Sequence, residues 1–390
     1  MRLIHTSDWH LGHTLNNRTR EEEMNAFFSF LLSAIEKEKA DALLISGDIF
    51  DSASPSSASE KAYYGFLLEA VRTRLKDIVI IAGNHDSPSK LAAPSELLRK
   101  LRIHVVSSLS DAEPIEMEDA VVLPIPFPRD QEVRRFVQGE TLEEGEDRMK
   151  RGIEGIYRSH ASLLSDRCPV IAMGHLMASN AISDEEGVKD LYIGGLGAVD
   201  ASVFSLFDYA ALGHIHKPQS LNAKGTVRYS GSPIPMSFKE AMHGKSMVLV
   251  DVEEGRTEAR EIPIPVFRNL ITARGSSDEI ISRLESLKKD GTPGWVSILI
   301  DEPLARETIE RKARDIEKES SFEILSIKDL TIGTRIAKEE EALVELSSLT
   351  ADDILENLMD ERGIADDRRK RLKICFEETK RRLEDEDSLN

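Results

Sequence analysis

The sequence predicts a layered α/β fold, followed by a smaller α/β module and C-terminal helices. Short runs rich in Val, Ile and Leu recur over the first 265 residues or so, and segments with helical spacing of apolar residues separate several of them. A proline-rich segment at 263–266 then precedes a strand, helix, strand, helix, strand pattern. Because prolines interrupt both helices and central strands, this segment predicts a boundary between two folded units.

The apolar runs have the length and composition of buried strands. They lie at about 3–7, 42–46, 78–82, 104–106, 120–123, 169–173 and 209–212. Two further runs, 226–230 and 246–252, have no helical pattern between them. This arrangement predicts that they pair antiparallel at the edge of a sheet.

Amphipathic helices are predicted between the strands. Residues 21–39 and 57–75 each place large apolar side chains such as Phe27 and Phe66 on one stripe. The segment 129–166 is also helical in pattern but strongly charged, and we interpret it as a solvated insertion between strands.

The second unit begins after the proline-rich segment. Its predicted elements are strands at 270–274, 295–300 and 322–328 and helices at 277–289 and 304–318. We therefore divide the chain into a first domain at 1–265, a small α/β module at 266–335 and a charged helical tail at 336–390. The tail pattern predicts helices at 351–362 and 366–384, each with a narrow apolar stripe.

Composition narrows the function classes. The 390 residues include 51 Lys and Arg against 70 Asp and Glu, a formal net charge of −19, which excludes a uniformly basic protein that binds nucleic acid through its overall charge. With only Cys168 and Cys375, a disulfide framework or a cysteine-based zinc cluster is also excluded. We expect neither a signal segment nor a membrane helix, and we expect a soluble, cytoplasmic protein.

Polar clusters follow five of the predicted strands. They are Asp8-Trp9-His10, Gly47-Asp48, Gly83-Asn84-His85-Asp86, Gly174-His175 and Gly213-His214-Ile215-His216. Since the carboxyl ends of parallel strands meet at one edge of an open α/β sheet, we expect the clusters to converge there.

Together these clusters supply the donors of a metal centre. The candidate ligands, all oxygen or imidazole nitrogen donors, are Asp8, His10, Asp48, Asn84, His175, His214 and His216. Such a set suits Mn²⁺, Fe or Zn²⁺, and seven ligands are too many for one tetrahedral ion. Two divalent ions about 3.5–4 Å apart, bridged by Asp48, would use all seven and would attract a phosphate.

Each motif alone is weak evidence. Gly-His and Gly-Asp pairs occur by chance, and a histidine at a strand end is often structural. The conjunction of five such motifs favours one shared site. The remaining histidines fall outside the motifs, and we expect them to be structural: His5, His13, His104, His160 and His243.

The order DxH, GD, GNHD, GH and GHxH resembles the calcineurin-like metallophosphoesterases. Longer motifs narrow the resemblance to the SbcD-type nucleases, the bacterial branch of the double-strand-break repair nuclease family. These motifs are HTSDWHLG (5–12), SGDIFDSASPS (46–56), AGNHDS (82–87), LPIPF (123–127), MGHLM (173–177), ALGHIHKPQ (211–219) and YSGSPIPMSF (229–238). The resemblance is close over 1–265, rests on layout over 270–330 and is weakest over the tail.

The resemblance implies a metal-dependent DNA exonuclease and endonuclease that binds two divalent metal ions, with Mn²⁺ the favoured metal. Asp8, His10, Asp48 and His216 would hold one ion, and Asp48, Asn84, His175 and His214 would hold the other. His85 would assist at the scissile phosphate, and Asp86 would orient His85. Archaeal and eukaryotic relatives carry a further histidine just after the GD motif, where this chain has Asp51 nearby.

The resemblance also implies partners and a process. Helices 57–75 and 91–101 would form a homodimer, the module would cap the cleft and guide DNA, and the tail would bind an SbcC-like ATPase in a heterotetramer. The process would be DNA repair, recombination and replication. Two alternatives stay open: a phosphoesterase of the same fold acting on nucleotides or phosphoproteins, and a non-catalytic scaffold for an ATPase. The cap and tail argue against the first, and the complete ligand set argues against the second.

Overall fold

The computed structural model describes residues 1–136, 145–163, 168–183, 198–253, 256–302 and 306–331, with isolated positions 359, 368, 369, 372, 373 and 376. The helices are α1 (Glu21–Glu38), α2 (Ser57–Ala70), α3 (Pro88–Ala92), α4 (Ser95–Arg99), α5 (Asp130–Phe136), α6 (Gly145–Leu163), α7 (Ser277–Lys289) and α8 (Arg306–Glu317), with 3₁₀ turns at Leu109–Asp111, Ala201–Leu206 and Glu240–Met242. The strands are β1 (Arg2–Thr6), β2 (Thr14–Leu15), β3 (Arg18–Thr19), β4 (Ala42–Ser46), β5 (Asp77–Ile81), β6 (Ile103–Val106), β7 (Ile115–Glu116), β8 (Val121–Pro124), β9 (Val170–His175), β10 (Tyr209–Gly213), β11 (Gln219–Ser220), β12 (Val227–Tyr229), β13 (Ser246–Glu253), β14 (Arg256–Pro263), β15 (Leu270–Gly275), β16 (Gly294–Ile300) and β17 (Phe322–Asp329).

Two six-stranded sheets form the body of the molecule, in the orders β14-β13-β1-β4-β5-β6 and β11-β12-β10-β9-β8-β7. In the first sheet β1, β4, β5 and β6 run parallel, β13 pairs antiparallel with β1, and β14 pairs antiparallel with β13. In the second sheet β8, β9, β10 and β12 run parallel. The layered α/β prediction is confirmed.

Alternation along the strands builds two cores. On β1, Leu3 joins a cluster that includes Ile171 and Ala210 of the second sheet, whereas Ile4 joins a cluster with Phe27 of α1. Because successive side chains of a strand point to opposite faces, one strand serves both cores. The result is a sandwich of two sheets, with helices on its outer face. We call it the sandwich.

The predicted antiparallel pairing of 226–230 with 246–252 is wrong. The first segment forms β12, which lies parallel to β10 in the second sheet, whereas the second forms β13, which pairs with β1 and β14 in the first sheet. The loop between them therefore crosses from one sheet to the other. The true partner β14 is mostly exposed and alternates charged residues, so its sequence lacks the apolar signal of a buried strand.

The interpretation of 129–166 as a solvated insertion is also wrong for the residues described there. Val133 of α5 and Ile153, Ile156 and Tyr157 of α6 are buried in the core that joins the two sheets. The Tyr157 hydroxyl donates a hydrogen bond to the carbonyl oxygen of Met173 at 3.1 Å. The α6 residues follow i, i+3 and i+4 spacing, a short apolar stripe that the surrounding charge conceals.

Two predicted helices are shorter in the structure. Helix α2 begins after the Ser56 cap and ends at Ala70, where the Thr73 hydroxyl donates to the Ala70 carbonyl. The segment 91–101 is split between α3 and α4, because Pro94 has no backbone N–H to continue the hydrogen bonds of α3 and its own backbone leaves the helical region, with φ −92° and ψ 7°.

The small module is a three-stranded parallel sheet in the order β15-β16-β17, with α7 and α8 packed on it. It has its own hydrophobic cluster, which includes Ile280, Val296 and Ile309. The predicted strand and helix order of the module is therefore confirmed. The predicted tail helices at 351–362 and 366–384 lie outside the described residues, apart from the isolated positions; of these, Met359 is buried. Among the described helices, none combines the length and apolar composition that a membrane-spanning helix needs.

The sandwich and the module meet at a cluster that we call the Trp295 joint: Arg20, Glu23, Pro235, Arg268 and Trp295. The guanidinium carbons of Arg20 and Arg268 lie 5.5 Å and 4.5 Å from the Trp295 ring centroid. Glu23 accepts from Arg20 Nε at 2.7 Å and lies 3.1 Å from Arg268 Nε. Arg20 also donates to the carbonyl of Pro235 at 2.8 Å, which ties the joint to the loop between the two sheets.

Candidate active site

The five polar clusters come together at the carboxyl ends of strands from both sheets. β1, β4 and β5 of the first sheet lead into the loops of Asp8, Asp48 and Asn84. In the second sheet, β9 ends at His175 and β10 leads into the loop of His214. The motifs predict a single edge of an open sheet, and in this respect the prediction is wrong. The Ser46 hydroxyl donates to the carbonyl of Ala211 at 2.9 Å, so β4 and β10 lie in direct contact and the two edges form one site.

Close approach of these strands explains one glycine of each sheet. A Cβ atom on Gly213 would lie 1.9 Å from the Ser46 carbonyl oxygen, and one on Gly83 would lie 2.1 Å from Asp48 Oδ1. Both contacts are impossible with any larger residue unless the loops move apart. Gly213 therefore allows the two sheets to approach each other here, and Gly83 allows the loops after β4 and β5 of the first sheet to approach each other.

Four of the candidate ligands have left-handed backbone conformations, which non-glycine residues seldom adopt. The φ angles are 53° at Asp8, 46° at His10, 49° at Asp48 and 99° at His214. Backbone hydrogen bonds of 3.0 Å from Asp8 N to Gly47 O and from His10 N to Asp48 O hold two of these turns. Strain of this kind collects at functional sites, where the surrounding structure holds it in place.

One half of the site contains Asp8, His10 and His216, which present ligand atoms within 4.8 Å of one another. His10 Nε2 lies 3.1 Å from His216 Nε2 and 3.6 Å from Asp48 Oδ2. These atoms have the spacing of donors that surround a common point.

The other half contains His175, Asn84 and His214. His175 Nε2 lies 3.0 Å from Asn84 Oδ1 and 3.2 Å from Asp48 Oδ2, and His214 Nδ1 lies 3.1 Å from Asn84 Oδ1. Asp48 Oδ2 thus lies close to both halves. All seven residues that the sequence singles out as ligands are brought together.

The electrostatics of this cluster fit a cation. Asp8, Asp48 and His175 are each at most 2% exposed. Burial alone would lower the pKa of His175, but the carboxylates of Asp48 and Asp8 raise it to about 9. Burial acts to raise the pKa of Asp48, yet His175 and His10 lower it overall. Two buried carboxylates therefore stabilise positive charge here, and the oxygen and imidazole donors suit divalent metal ions.

His85 lies beside the ligands. Its backbone N–H donates to Asp48 Oδ1 at 2.9 Å, and its ring centroid lies 4.9 Å from that of His10. Its ring Nδ1 lies 2.9 Å from the carbonyl oxygen of Asp51. With His10 and Asp48 it forms a further group of ligand atoms within 4.8 Å, so proximity alone leaves metal binding by His85 open.

The expected contact between Asp86 and the His85 ring is not seen in the structure. Its buried carboxylate accepts from the backbone N–H groups of Ile49, Phe50 and Gly83 at 3.2, 3.0 and 2.8 Å. The bonds join the loops after β4 and β5. The side chain of Asp86 therefore fixes the loops that carry Asp48 and Asn84, and the group that orients His85 is the Asp51 carbonyl.

Most of the histidines expected to be structural have partners away from the ligands. His5 Nδ1 lies 3.0 Å from the Tyr209 hydroxyl, His104 Nε2 3.2 Å from Asp77 and His160 Nδ1 2.8 Å from the carbonyl of Ile156. His243 lines a small cavity that His216 also borders.

His13 is the exception. Its Nδ1 lies 3.1 Å from Asp51 Oδ1, and its Nε2 lies 3.1 Å from the Met236 carbonyl oxygen. Asp51 Oδ1 is also 3.2 Å from Nδ1 of the candidate ligand His10. His13 therefore belongs to the layer immediately behind the candidate ligands.

Sequence reasoning missed Glu240 and Lys245. Glu240 Oε1 lies 3.2 Å from His216 Nδ1, and the Lys245 ammonium donates to Glu240 Oε2 at 2.6 Å. Both residues are buried. They lie in the irregular crossing between the sheets, where no strand-end pattern exists to single them out; a charged pair beside the YSGSPIPMSF motif is the only signal.

Comparisons with known proteins agree with this geometry. The family model for calcineurin-like phosphoesterases matches residues 1–218, and a model described as a type 5 capsule protein repressor C-terminal domain matches 266–362. The SbcD subunit of the nuclease SbcCD from Escherichia coli (strain K12) is 32% identical over 84% of this chain and 85% of its own. The SbcD subunit of Rhodobacter capsulatus is 33% identical over 75% of this chain and 77% of its own, and that of Bacillus subtilis is 29% identical over 80% and 82%.

The first family model covers more than half of the 390 residues, and two of these relatives exceed 30% identity over at least three quarters of both lengths. The matched region contains all seven clustered donors. The chain belongs to the calcineurin-like phosphoesterase family and, within it, to the group of SbcD subunits of the nuclease SbcCD.

Proposed function

We propose that the chain is the nuclease subunit of an SbcCD-type complex, hydrolysing DNA phosphodiesters at ends and hairpins during repair, recombination and replication in the cytoplasm. The observation that carries this proposal is the convergence of seven residues with oxygen and nitrogen donors, six of them grouped around Asp48. The names of the relatives supply the substrate class. Division into a nuclease domain at 1–265, a capping module at 266–335 and a partner-binding tail at 336–390 follows from the same family.

Two divalent ions, in our proposal Mn²⁺, occupy the two halves of the cluster. Asp8, His10, Asp48 and His216 hold the first ion, and Asp48, Asn84, His175 and His214 hold the second. When bound, such a pair supplies positive charge at the reacting phosphate and activates water for attack. The ions also supply the positive charge with which a protein of net charge −19 attracts a phosphodiester.

His85 assists at the scissile phosphate without binding a metal ion. The Asp51 carbonyl accepts a hydrogen bond from Nδ1, so Nε2 is the nitrogen left to exchange a proton with the substrate. Its half-buried position beside His10 suits a group that contacts substrate. Protonation of the leaving oxygen by such a group contributes typically 10²- to 10⁴-fold to the rate.

A homodimer forms through the surface of α2 and α4. Leu68, Leu97 and Leu101 in this region are 54%, 65% and 45% exposed. Leu101 and Val71, at the end of each helix, line the same open cavity of about 540 Å³. Large exposed apolar side chains in such a region favour a protein contact. With two copies of an SbcC-like ATPase, the dimer would form a heterotetramer.

The tail binds the SbcC-like ATPase. Its two apolar stripes, 351–362 and 366–384, are narrow and flanked by charge, as in helices that lie in a partner's groove. Truncation after Lys338 is expected to leave a folded, metal-dependent nuclease that no longer copurifies with the ATPase. Undiminished binding by the truncated chain would remove this role from the tail.

The proposed function is tested by comparing substrates under one condition. Purified protein with Mn²⁺ is expected to cleave blunt and hairpin duplex DNA, and a chelator is expected to stop cleavage. Nucleotides, a phosphopeptide and a small phosphodiester serve as competing substrates. Faster turnover of a nucleotide or phosphopeptide than of DNA would favour the alternative phosphoesterase, and hydrolysis of none of them would favour a scaffold.

A further inference from the structure

The two histidines proposed to bind the first ion, His10 and His216, each have a carboxylate next to the ring nitrogen that faces away from the ion. His10 directs Nε2 towards His216 and Asp48, while its Nδ1 lies 3.2 Å from Asp51 Oδ1. His216 directs Nε2 towards His10, while its Nδ1 lies 3.2 Å from Glu240 Oε1. In both rings the nitrogen opposite the ligand face is therefore occupied by a carboxylate.

The second-ion half has a different arrangement. The Nδ1 of His175, opposite its ligand face, lies 2.8 Å from the backbone carbonyl of Ser46. A carbonyl fixes the orientation of a ring but carries no net charge. A carboxylate also makes the imidazole a stronger ligand, and residues in this outer position change metal affinity by typically 10- to 100-fold.

Asp51 and Glu240 differ in what else they contact. Glu240 is paired with the buried ammonium of Lys245, which offsets its charge. The Asp51 carboxylate contacts His10 and His13 through the same oxygen and is 37% exposed. Asp51 therefore offers the less neutralised of the two carboxylates and the one more easily exchanged without disturbing the core.

Asp51 also contacts His85, but through its backbone. The carbonyl oxygen of Asp51 lies 2.9 Å from His85 Nδ1, whereas its side chain lies against His10 and His13. The two contacts are separable, because a side-chain substitution removes the carboxylate and leaves the carbonyl in place.

We propose that Asp51 is a positioning residue that strengthens binding of the first ion by holding His10 through Nδ1, and that its side chain has no direct part in the chemistry of His85. This gives the residue near the place of the missing family histidine a role towards the metal site. The inference rests on the two-ion site of the proposed function.

The test is calorimetric titration of the full chain with Mn²⁺ alone. Wild-type protein is expected to bind two ions. In Asp51→Asn we expect one binding event to weaken by about 10- to 100-fold and the other to stay within about threefold. The matched control is Asp301→Asn, a carboxylate after β16 of the small module that is 38% exposed, against 37% for Asp51; it is expected to titrate like wild type.

Cleavage rates separate positioning from chemistry. At saturating Mn²⁺, Asp51→Asn is expected to recover most of the wild-type rate, because the carbonyl that holds His85 remains. Asp51→Glu, which keeps the charge, is expected to recover part of the lost affinity. His13→Gln, which keeps the carboxylate but removes one contact, is expected to weaken the same event by a smaller factor.

Two results would overturn the inference: unchanged affinity for both ions in Asp51→Asn, or a rate that stays low at saturating Mn²⁺. Failure of the proposed function would look different, since wild-type protein would then bind no ion pair. A circular-dichroism melt without metal checks that each variant is folded.

Discussion

Both the sandwich and the small module carry carboxylates just after parallel strands, but the two sets have different surroundings. In the module, Asp301 follows β16 and pairs with Arg274, and Glu302 accepts from the backbone N–H of Ser277 at the start of α7. Both are exposed. In the sandwich, Asp8 and Asp48 are buried, have positive φ and lie among histidines.

The difference shows what turns a strand-end carboxylate into a candidate ligand. A single sheet spreads its strand ends along a line. In the module each exposed carboxylate therefore binds only a nearby group, Arg274 for Asp301 and the Ser277 N–H for Glu302. Where two sheets pack face to face with the carboxyl ends of their strands on the same side, the strand ends of both enclose a small volume and the polar groups lose water. Buried carboxylates are costly unless a cation or a dense set of donors compensates. Convergence and burial together, and not the motif alone, therefore indicate the metal site.

The largest expected effect comes from replacing one strand-end carboxylate of the sandwich, and the comparison is the same replacement in the module. Asp48→Ala is expected to abolish metal-dependent DNA cleavage, because Asp48 Oδ2 approaches both halves of the site. Asp301→Ala in the module is expected to leave cleavage within about twofold, as is His160→Ala, whose ring bonds to the carbonyl of Ile156. Initial rates on duplex DNA in Mn²⁺ measure all three. Equal losses from Asp48 and Asp301 would show that burial does not distinguish the two sets.

The next effect separates chemistry from metal binding within the sandwich. His85→Ala is expected to keep both ions and the affinity for DNA while slowing cleavage by about 10²-fold or more. Metal content by mass spectrometry and single-turnover rates measure the two properties. Loss of an ion from the variant would make His85 a ligand, as its nearness to His10 and Asp48 also allows.

A smaller effect tests whether the module helps the sandwich bind DNA, although the strand ends of the module supply none of the seven candidate ligands. Trp295→Ala removes the ring between Arg20 and Arg268, contacts worth about 0.5–2 kcal/mol each. We expect the KM for duplex DNA to rise by roughly 3- to 10-fold, since 1.4 kcal/mol is tenfold in an equilibrium, while hydrolysis of a small phosphodiester stays unchanged. Trp295→Phe, which keeps an aromatic face, is the control. Equal losses on both substrates would mean that the joint supports the sandwich itself.

The smallest effect on cleavage concerns a buried polar group of the sandwich outside the ligand set. Burial lowers the pKa of His5 to about 3 from an ordinary value near 6.5. Below pH 6.5 the unfolded chain binds a proton at His5 that the folded chain does not bind. The free energy of unfolding therefore decreases as the pH is lowered, by up to about 1.4 kcal/mol per pH unit, until about pH 3.

His5→Phe is expected to remove that contribution to the pH slope and to leave cleavage at pH 7.5 within about twofold. Urea unfolding at several values between pH 4.5 and 7.5, without metal, measures the slope for both proteins. Parallel slopes for wild type and variant would show that His5 takes up its proton equally in the folded and the unfolded chain, against a lowered pKa in the fold.

Much of the fold and of the site followed from pattern. Strands buried on both faces carry continuous apolar runs, so β4 and β5 were predicted closely, and the order of the five motifs predicted the seven donors that the structure brings together. The module was predicted because its strands and helices alternate between clear turns.

The rest depends on contacts distant in sequence. Strand β14 is exposed and charged, so only its pairing with β13 defines it. In helix α6, Tyr157 is surrounded in sequence by charged residues, and nothing in the local sequence indicates that its hydroxyl contacts the Met173 carbonyl. Glu240 and Asp51 contact His216 and His10 because the loops that carry them fold back onto the site, which no periodicity encodes.

The central claim is a pair of ions bridged by Asp48, and anomalous diffraction from crystals grown with Mn²⁺ tests it most directly. We expect two anomalous peaks about 3.5–4 Å apart, with the Asp48 carboxylate between them and the His85 ring bound to neither. A single peak, or two peaks with Asp48 on one ion only, would contradict it.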